Sequence, residues 1–414
     1  MRHAAMWCIV TMRPAARRAA AHNYSSQQLQ EGSTMRNARY IACGMLAVTL
    51  GFVTSMAAHA EPGITKSAIR IGQSAGVSGP VAGSVKEQIA GAQVYLNHVN
   101  ANGGVAGRRI ELLTYDDGFD AKRTPDNVRK LIGEDKVFAL FMVRGTPQNE
   151  SILPIIGAEK VPLIAPLTGA ITLHRPVNRY VFNVRAKYQD EVARAINHLA
   201  TSGMSRIAIF YANDGFGQDV FEGFNTALQA RGVQPAGAAS FNRPMGDISQ
   251  GVASVNKANP QAVMVIGSGS EAARIIREMK KAGSQAQFVT LSNNAADSFI
   301  KELGDDGKGL IITQVVPGMN SSQMSIASEY RGLAKAQKLE PSNAGMEGFM
   351  SAKVLVEGLR RAGPEPTREK LVAALEGLRD YDLGGILISY SPARHTGSSF
   401  VEMSIVSSTG KLIR

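Results

Sequence analysis

The sequence predicts an α/β protein of two doubly wound lobes, and three observations lead there. From residue 64 onward, short β-branched runs alternate with amphipathic stretches, which is how parallel sheets covered by helices on both faces read. The alternation completes one series by about residue 165 and starts a second after a β-branched run at 180–184. No repeat of fixed period and no low-complexity linker separates the two series, so they are expected to face each other across a cleft.

Taken in order, the first series offers strands at 68–73, 110–115, 137–143 and 161–165, with helices at 86–100, 125–133 and 147–159 between them. Pro125 and Pro147 suit a first helical turn, where the missing N–H is no loss and φ is already helical. The second series opens with a helix whose Tyr188, Val192, Ala195, Ile196 and Leu199 fall on one face. Strands then recur at 206–211, 237–241, 262–266, 287–291 and 310–314, again with helices between. The last third turns helical at 325–337, 345–361 and, after Pro364 and Pro366, at 367–378, before strands at 386–389 and 400–406.

Near the start, Arg36 and Arg39 precede an apolar run from Tyr40 to Ala58, and Ala58-His59-Ala60 supplies a small-x-small triplet. The combination predicts a secretory signal peptide over 35–60, cleaved after Ala60. A membrane anchor needs about 20 strongly apolar residues, and this run is diluted by Thr49, Thr54 and Ser55. Residues 1–34 fit neither a domain nor a signal n-region, so they are read as an extra or mis-assigned leader ahead of a start at Met35. Cys43 stands at the wrong end of the apolar run for a lipidated cysteine. Cleavage leaves 354 residues and removes Cys8 and Cys43, and with them any disulfide, thiol nucleophile or thiolate ligand. It also removes six arginines and one glutamate, so the formal charge falls from +11 to +6. Without basic runs interleaved with aromatics, that charge makes no case for nucleic acid, and none is expected as a partner.

Motifs that suggest chemistry fail on context. Gly72-Gln73-Ser74-Ala75-Gly76 matches the pattern of a nucleophile elbow, with His395 downstream, but an elbow passes straight from strand into helix and here residues 77–83 intervene. Gly267-Ser268-Gly269-Ser270-Glu271-Ala272 resembles a dinucleotide turn, yet the next strand ends in Ser292-Asn293-Asn294 with no ribose-binding acid. His98, His174, His198 and His395 show no metal-ligand spacing, and Asp116, Asp117 and Asp120 suit turn and capping chemistry better than calcium. Neither a metal nor a cofactor is expected, and no enzyme. What remains are loops of small and hydroxyl residues at strand C-terminal ends, where ligands bind in open α/β sheets and helix N-termini suit carboxylates.

Residues 68–80 (AIRIGQSAGVSGP), 91–97 (GAQVYLN), 100–107 (NANGGVAG) and 115–117 (YDD) together resemble the leucine/isoleucine/valine-binding family of periplasmic binding proteins. The similarity continues through 161–166 (VPLIAP), 207–211 (IAIFY), 215–217 (GFG) and Gly384-Gly385, covering nearly all of 64–414. The resemblance implies a type I fold in which three crossovers join lobe one, about 64–185 plus 316–397, to lobe two, about 186–315 plus 398–414. It implies a monomer that closes by a hinge on a small carboxylate or amino acid and delivers it to the membrane permease of an ABC importer. A ligand-sensing module of a receptor is the competing class.

By the same resemblance, lobe one holds the ligand carboxylate through Thr146 and through Leu167, Thr168 and Gly169; Thr146 is equally suited to cap the helix that follows. In lobe two the family's aromatic falls at Phe216, a second near Ser270, and the acid that binds the ammonium near Ser292 or Asn293, while another aromatic position falls near Ser84. Tyr188 is expected to face the cleft, and Arg144, beside Thr146, either offers a charged donor or, as is commoner for an arginine at a strand end, is solvated. The absent acid points to a carboxylate without an amino group as the alternative to a branched-chain amino acid.

Overall fold

The structure, a computed structural model, describes residues 61–414; the leader, the signal peptide and the cleavage after Ala60 lie outside the described residues. The first sheet takes β1 (Ala68–Ala75), β2 (Arg109–Asp116), β3 (Ala139–Phe141), β4 (Leu163–Ile164) and β5 (Val181–Phe182) in the order β2-β1-β3-β4-β5, all parallel. Helices α1 (Ala82–Ala101), α2 (Thr124–Gly133) and α3 (Thr146–Glu159) connect its strands. Next come α4 (Tyr188–Thr201), β6 (Ile207–Ala212), α5 (Gly215–Gln229), β7 (Gly237–Phe241), α6 (Ser249–Lys257), β8 (Ala262–Ile266), α7 (Ser270–Lys281), β9 (Gln287–Thr290), α8 (Asp297–Leu303) and β10 (Ile311–Gln314). The chain then returns to the first lobe with α9 (Ser325–Ala336), α10 (Asn343–Arg361), α11 (Arg368–Glu376) and the small pair β11 (Tyr381–Asp382) and β12 (Leu387–Ile388). It finishes with β13 (Glu402–Val406) and β14 (Leu412–Ile413), antiparallel additions to a second sheet ordered β14-β13-β10-β9-β8-β6-β7.

Burial explains these elements. Every residue of β8 is buried, as a central parallel strand covered on both faces requires. In α4 the buried residues Tyr188, Val192, Ala195, Ile196 and Leu199 form the stripe read from the sequence. Asp214, Ser342 and Thr367 start α5, α10 and α11 by accepting from backbone N–H groups three residues on. One face of the first sheet packs Ile69, Ile71 and Phe182 against Phe349 and Leu355 of α10, and the other carries Val128, Leu131 and Ile152. Helices α1 and α10 touch backbone to backbone: a Cβ on Gly91 would meet the Gly345 carbonyl oxygen at 1.8 Å, and one on Gly348 the Gln88 carbonyl oxygen at 1.9 Å. No larger side chain fits at either position.

Two differences from the sequence reading stand out, and the first concerns the site. Strands β3 and β4 end at Phe141 and Ile164, short of the expected 143 and 165, because Met142 and Ala165 both adopt φ of 55° and turn the chain out of the sheet. The short strands β11 and β14 were not anticipated.

Candidate functional site

Segments that follow seven strand ends, those of β2 to β8, meet in one chamber lined by Phe119, Arg144, Gly145, Thr146, Pro147, Leu167, Tyr188, Phe216, Arg243 and Ser268. Its volume is about 10 Å³, so the lining side chains meet one another. Outside lies a vestibule of about 750 Å³, which shares Phe119, Pro147 and Arg243 with the chamber and continues over Pro80, Met245, Ser270 and Arg274.

Among the expected site residues, Thr146, Leu167, Tyr188 and Phe216 line the chamber. Thr146 Oγ1 lies 2.6 Å from Thr168 Oγ1, which puts Thr168 directly behind it. Gly169 stands at the edge, its carbonyl accepting from Tyr188 N at 2.8 Å, and the Tyr188 and Phe216 rings meet edge to face at 4.9 Å. Ser270 is exposed at the vestibule, and Ser268 takes the inner position instead. Asn293 directs its amide to the Gly267 carbonyl and offers its own carbonyl oxygen to Arg144. Ser84, inside α1, gives its hydroxyl to the Val81 carbonyl. Thr146 is not a helix cap: Gly145, at φ 100°, holds that position, and the threonine is the first helical residue with its hydroxyl engaged across the loop.

Arg144 overturns the expectation of a solvated side chain. It is 2% exposed. Nη2 donates to the Asn293 carbonyl at 3.1 Å, while Nη1 has no partner. Among the described residues no carboxylate pairs with it; Glu347, whose field reaches it, already binds Arg185 and Gln88. Burial pulls its pKa down, but a guanidinium stays protonated in proteins. The N-terminus of α3, the positive end of a helix dipole, opens onto the same chamber.

Arg243 is differently supplied. Its Nε reaches both oxygens of Glu271 at 2.9 and 3.0 Å, and Nη1 pairs with Asp214. Its Cζ lies 5.3 Å from the ring centre of Phe119 and 5.9 Å from that of Phe216. Burial opposes its charge, yet the two carboxylates hold its pKa above the ordinary value. Arg243 and Phe119 were both missed in the sequence, where Phe119 sits inside the acidic turn and Arg243 in an unremarkable loop.

Beneath the chamber Arg185 ties the lobes together. It meets Glu191 at 2.6 Å, Ser292 Oγ at 2.6 Å and Glu347 at 3.1 Å, under the Tyr188 ring at 4.9 Å. The acidic turn does what turn chemistry predicts: Asp116 accepts from Ser78 N and Gly118 N, and Asp117 from Phe119 N, Ser74 and Thr124. Ser74, buried in β1, is thereby committed to Asp117 and Asn127.

At the seam, Asp219 of α5 accepts from Ile171 N at 3.2 Å and Gln189 at 3.1 Å, with its second oxygen unpartnered. Burial pushes its pKa up from 3.8 to about 6. A raised carboxyl pKa means the folded state holds the proton more tightly than the unfolded one. The penalty is therefore full above about pH 6 and fades as pH falls toward 3.8. Asp219→Asn is expected to stabilise the protein by about 2 kcal/mol at pH 8, with the gain vanishing near pH 4, measured by urea unfolding at both pH values.

Two α/β lobes with a polar chamber between them are the architecture of a solute-binding protein. Residues 68–410 match the family described as periplasmic binding protein, and the chain belongs to that family. A substrate-binding periplasmic protein from Ralstonia solanacearum is 32% identical, with a TM-score of 0.77 over 83% of this chain and 99% of its own. A type 1 periplasmic binding protein from Bordetella pertussis, 20% identical, superposes with a TM-score of 0.76 over 84% of this chain and 99% of its own, which identifies the fold as type I. The Leu/Ile/Val/Thr-binding protein of Salmonella typhimurium is 24% identical over 278 residues, 67% of this chain and 75% of that one. Members of this family bind solutes rather than transform them.

Proposed function

We propose that this chain is the periplasmic solute-binding component of an ABC importer, and that its ligand is a small carboxylate without an ammonium group. The observation that carries the ligand class is Arg144, a buried guanidinium with an unused donor and no carboxylate of its own. Thr146, Thr168 and the α3 N-terminus complete an anion-binding wall on the first lobe, with Leu167, Tyr188 and Phe216 as apolar walls around the solute body. An ammonium would need an acid. Asp117 is engaged with Ser74 and Thr124, Asp190 with Lys187, and Asp214 and Glu271 with Arg243.

The names of the relatives favour a second reading, a branched-chain amino acid. Calorimetric titration against leucine, its keto-acid and benzoate separates the two. The keto-acid or benzoate is expected to bind at least as tightly as leucine; micromolar leucine affinity with no keto-acid binding would reject the proposed ligand class. Thr146→Ala is expected to weaken carboxylate binding by about 1–3 kcal/mol, the loss of a charge-assisted hydrogen bond. Export through a cleaved signal peptide gives a mature chain beginning at Glu61, to be checked by N-terminal sequencing of periplasmic material.

A further inference from the structure

The two arginines of the chamber differ in what already neutralises them. Arg144 has one carbonyl oxygen and no carboxylate. Arg243 has two carboxylates, Asp214 and Glu271, both from the second lobe. Two negative charges against one positive would leave a surplus able to attract a cation, but each carboxylate also sits at a helix N-terminus. Asp214 caps α5 by accepting from Gly217 N at 3.1 Å, and Glu271, in the first turn of α7, accepts from Ser268 N at 3.2 Å. The positive ends of the two helix dipoles, about half a charge each, offset the surplus. The second-lobe wall is therefore electrically satisfied, and Arg243 is the cation that satisfies it.

We propose that Arg243 is the specificity-determining residue of this cleft: its guanidinium stands in for a ligand ammonium on Asp214 and Glu271 and so excludes amino acids. Its position supports this. Arg243 lies over Phe119 of the first lobe and Phe216 of the second, in the wall shared by chamber and vestibule, and its charge is felt at Arg144. A solute whose carboxylate reaches Arg144 and which carries an α-ammonium brings that second cation against Arg243. It finds repulsion and, among the residues lining the chamber, no acid. A solute without the ammonium meets only the guanidinium face and the rings. The inference rests on the reading that Arg144 takes the carboxylate.

The test is calorimetric titration of the mature protein with two pairs that differ only by an ammonium, leucine with 4-methylpentanoate and phenylalanine with 3-phenylpropanoate. Arg243→Gln uncovers both acids and is expected to shift the affinity ratio toward the amino acid by at least about tenfold, the worth of a hydrogen bond to a charged group. Where the wild type binds neither member, new amino-acid binding in the variant supports the proposal equally. If Arg243→Gln does not fold, the double variant Arg243→Gln/Asp214→Asn leaves Glu271 alone and carries the same expectation. The triple variant that adds Glu271→Gln is expected to lose the gain, since it keeps the enlarged space without the charge. An unchanged ratio, or an equal gain in the triple variant, overturns the proposal. So does loss of carboxylate binding in Arg243→Gln with no amino-acid gain, which would make Arg243 an anion ligand. Arg144→Met separates the two levels. Undiminished carboxylate binding there rejects the carboxylate assignment itself, whereas lost binding with an unchanged ratio in Arg243→Gln rejects the role of Arg243 alone.

Discussion

Arg144→Met is expected to abolish carboxylate binding and at the same time raise the melting temperature of the ligand-free protein. Removing one partner of a buried charge pair costs about 2–5 kcal/mol of binding, a loss of about thirtyfold to several thousandfold. In the ligand-free protein the sign reverses. The guanidinium is 2% exposed, uses Nη2 on one carbonyl and leaves Nη1 unpartnered, so it carries a desolvation penalty without a salt bridge to offset it. Replacing buried charges by apolar side chains of similar volume is often neutral or stabilising, by about 1–4 kcal/mol. A merely structural arginine would lose stability on removal. Titration calorimetry paired with a thermal scan reads both quantities on one sample, and a fall in melting temperature would contradict the account of Arg144 as a strained binding group.

Glu191→Ala is expected to be among the most destabilising single changes in the molecule, by about 3–5 kcal/mol in urea unfolding, the range for breaking a buried ion pair from one side. Glu191 is fully buried and accepts from Arg185, from the backbone and side chain of Ser292, and from Thr313. Its loss leaves Arg185 with Glu347 as its one carboxylate and strands the Ser292 N–H and the Thr313 hydroxyl. The contrast is Asp126→Asn, which breaks the Arg129 pair on the surface, where the side chains are 63% and 82% exposed. That change is expected to cost less than about 1 kcal/mol. Equal effects would mean that the buried network contributes no more than a solvated pair.

Much of the architecture was legible because it is written in local pattern. The apolar run of β8 and the spaced stripe of α4 both say what covers them. That the loops after β3 and β4 share one edge of the sheet was legible for the same reason, since the end of a parallel strand is fixed once the strand is found. Arg144 was not. Its burial depends on the loop at Asn293, 149 residues away, and nothing beside it in the sequence announces that cover. Arg243 was hidden likewise, because its carboxylates lie 29 and 28 residues off in different turns. Phe119 was obscured by its neighbours: in a cluster of aspartates the acids drew the reading, while the aromatic between them entered the cleft. Thr146 lines the chamber but does not cap α3, although a threonine before a proline at a helix start is also what a capping residue looks like.

The backbone contact between α1 and α10 has a consequence for how the chain is made. Gly91 and Gly348 are more than 250 residues apart, so the layer that covers β1 reaches its partner only when most of the polypeptide has emerged. Strands β6 to β10, by contrast, lie together between Ile207 and Gln314 and need no distant segment to begin pairing. The segment that forms the second lobe's parallel sheet is therefore complete in a growing chain before α10, the partner of α1, has been made.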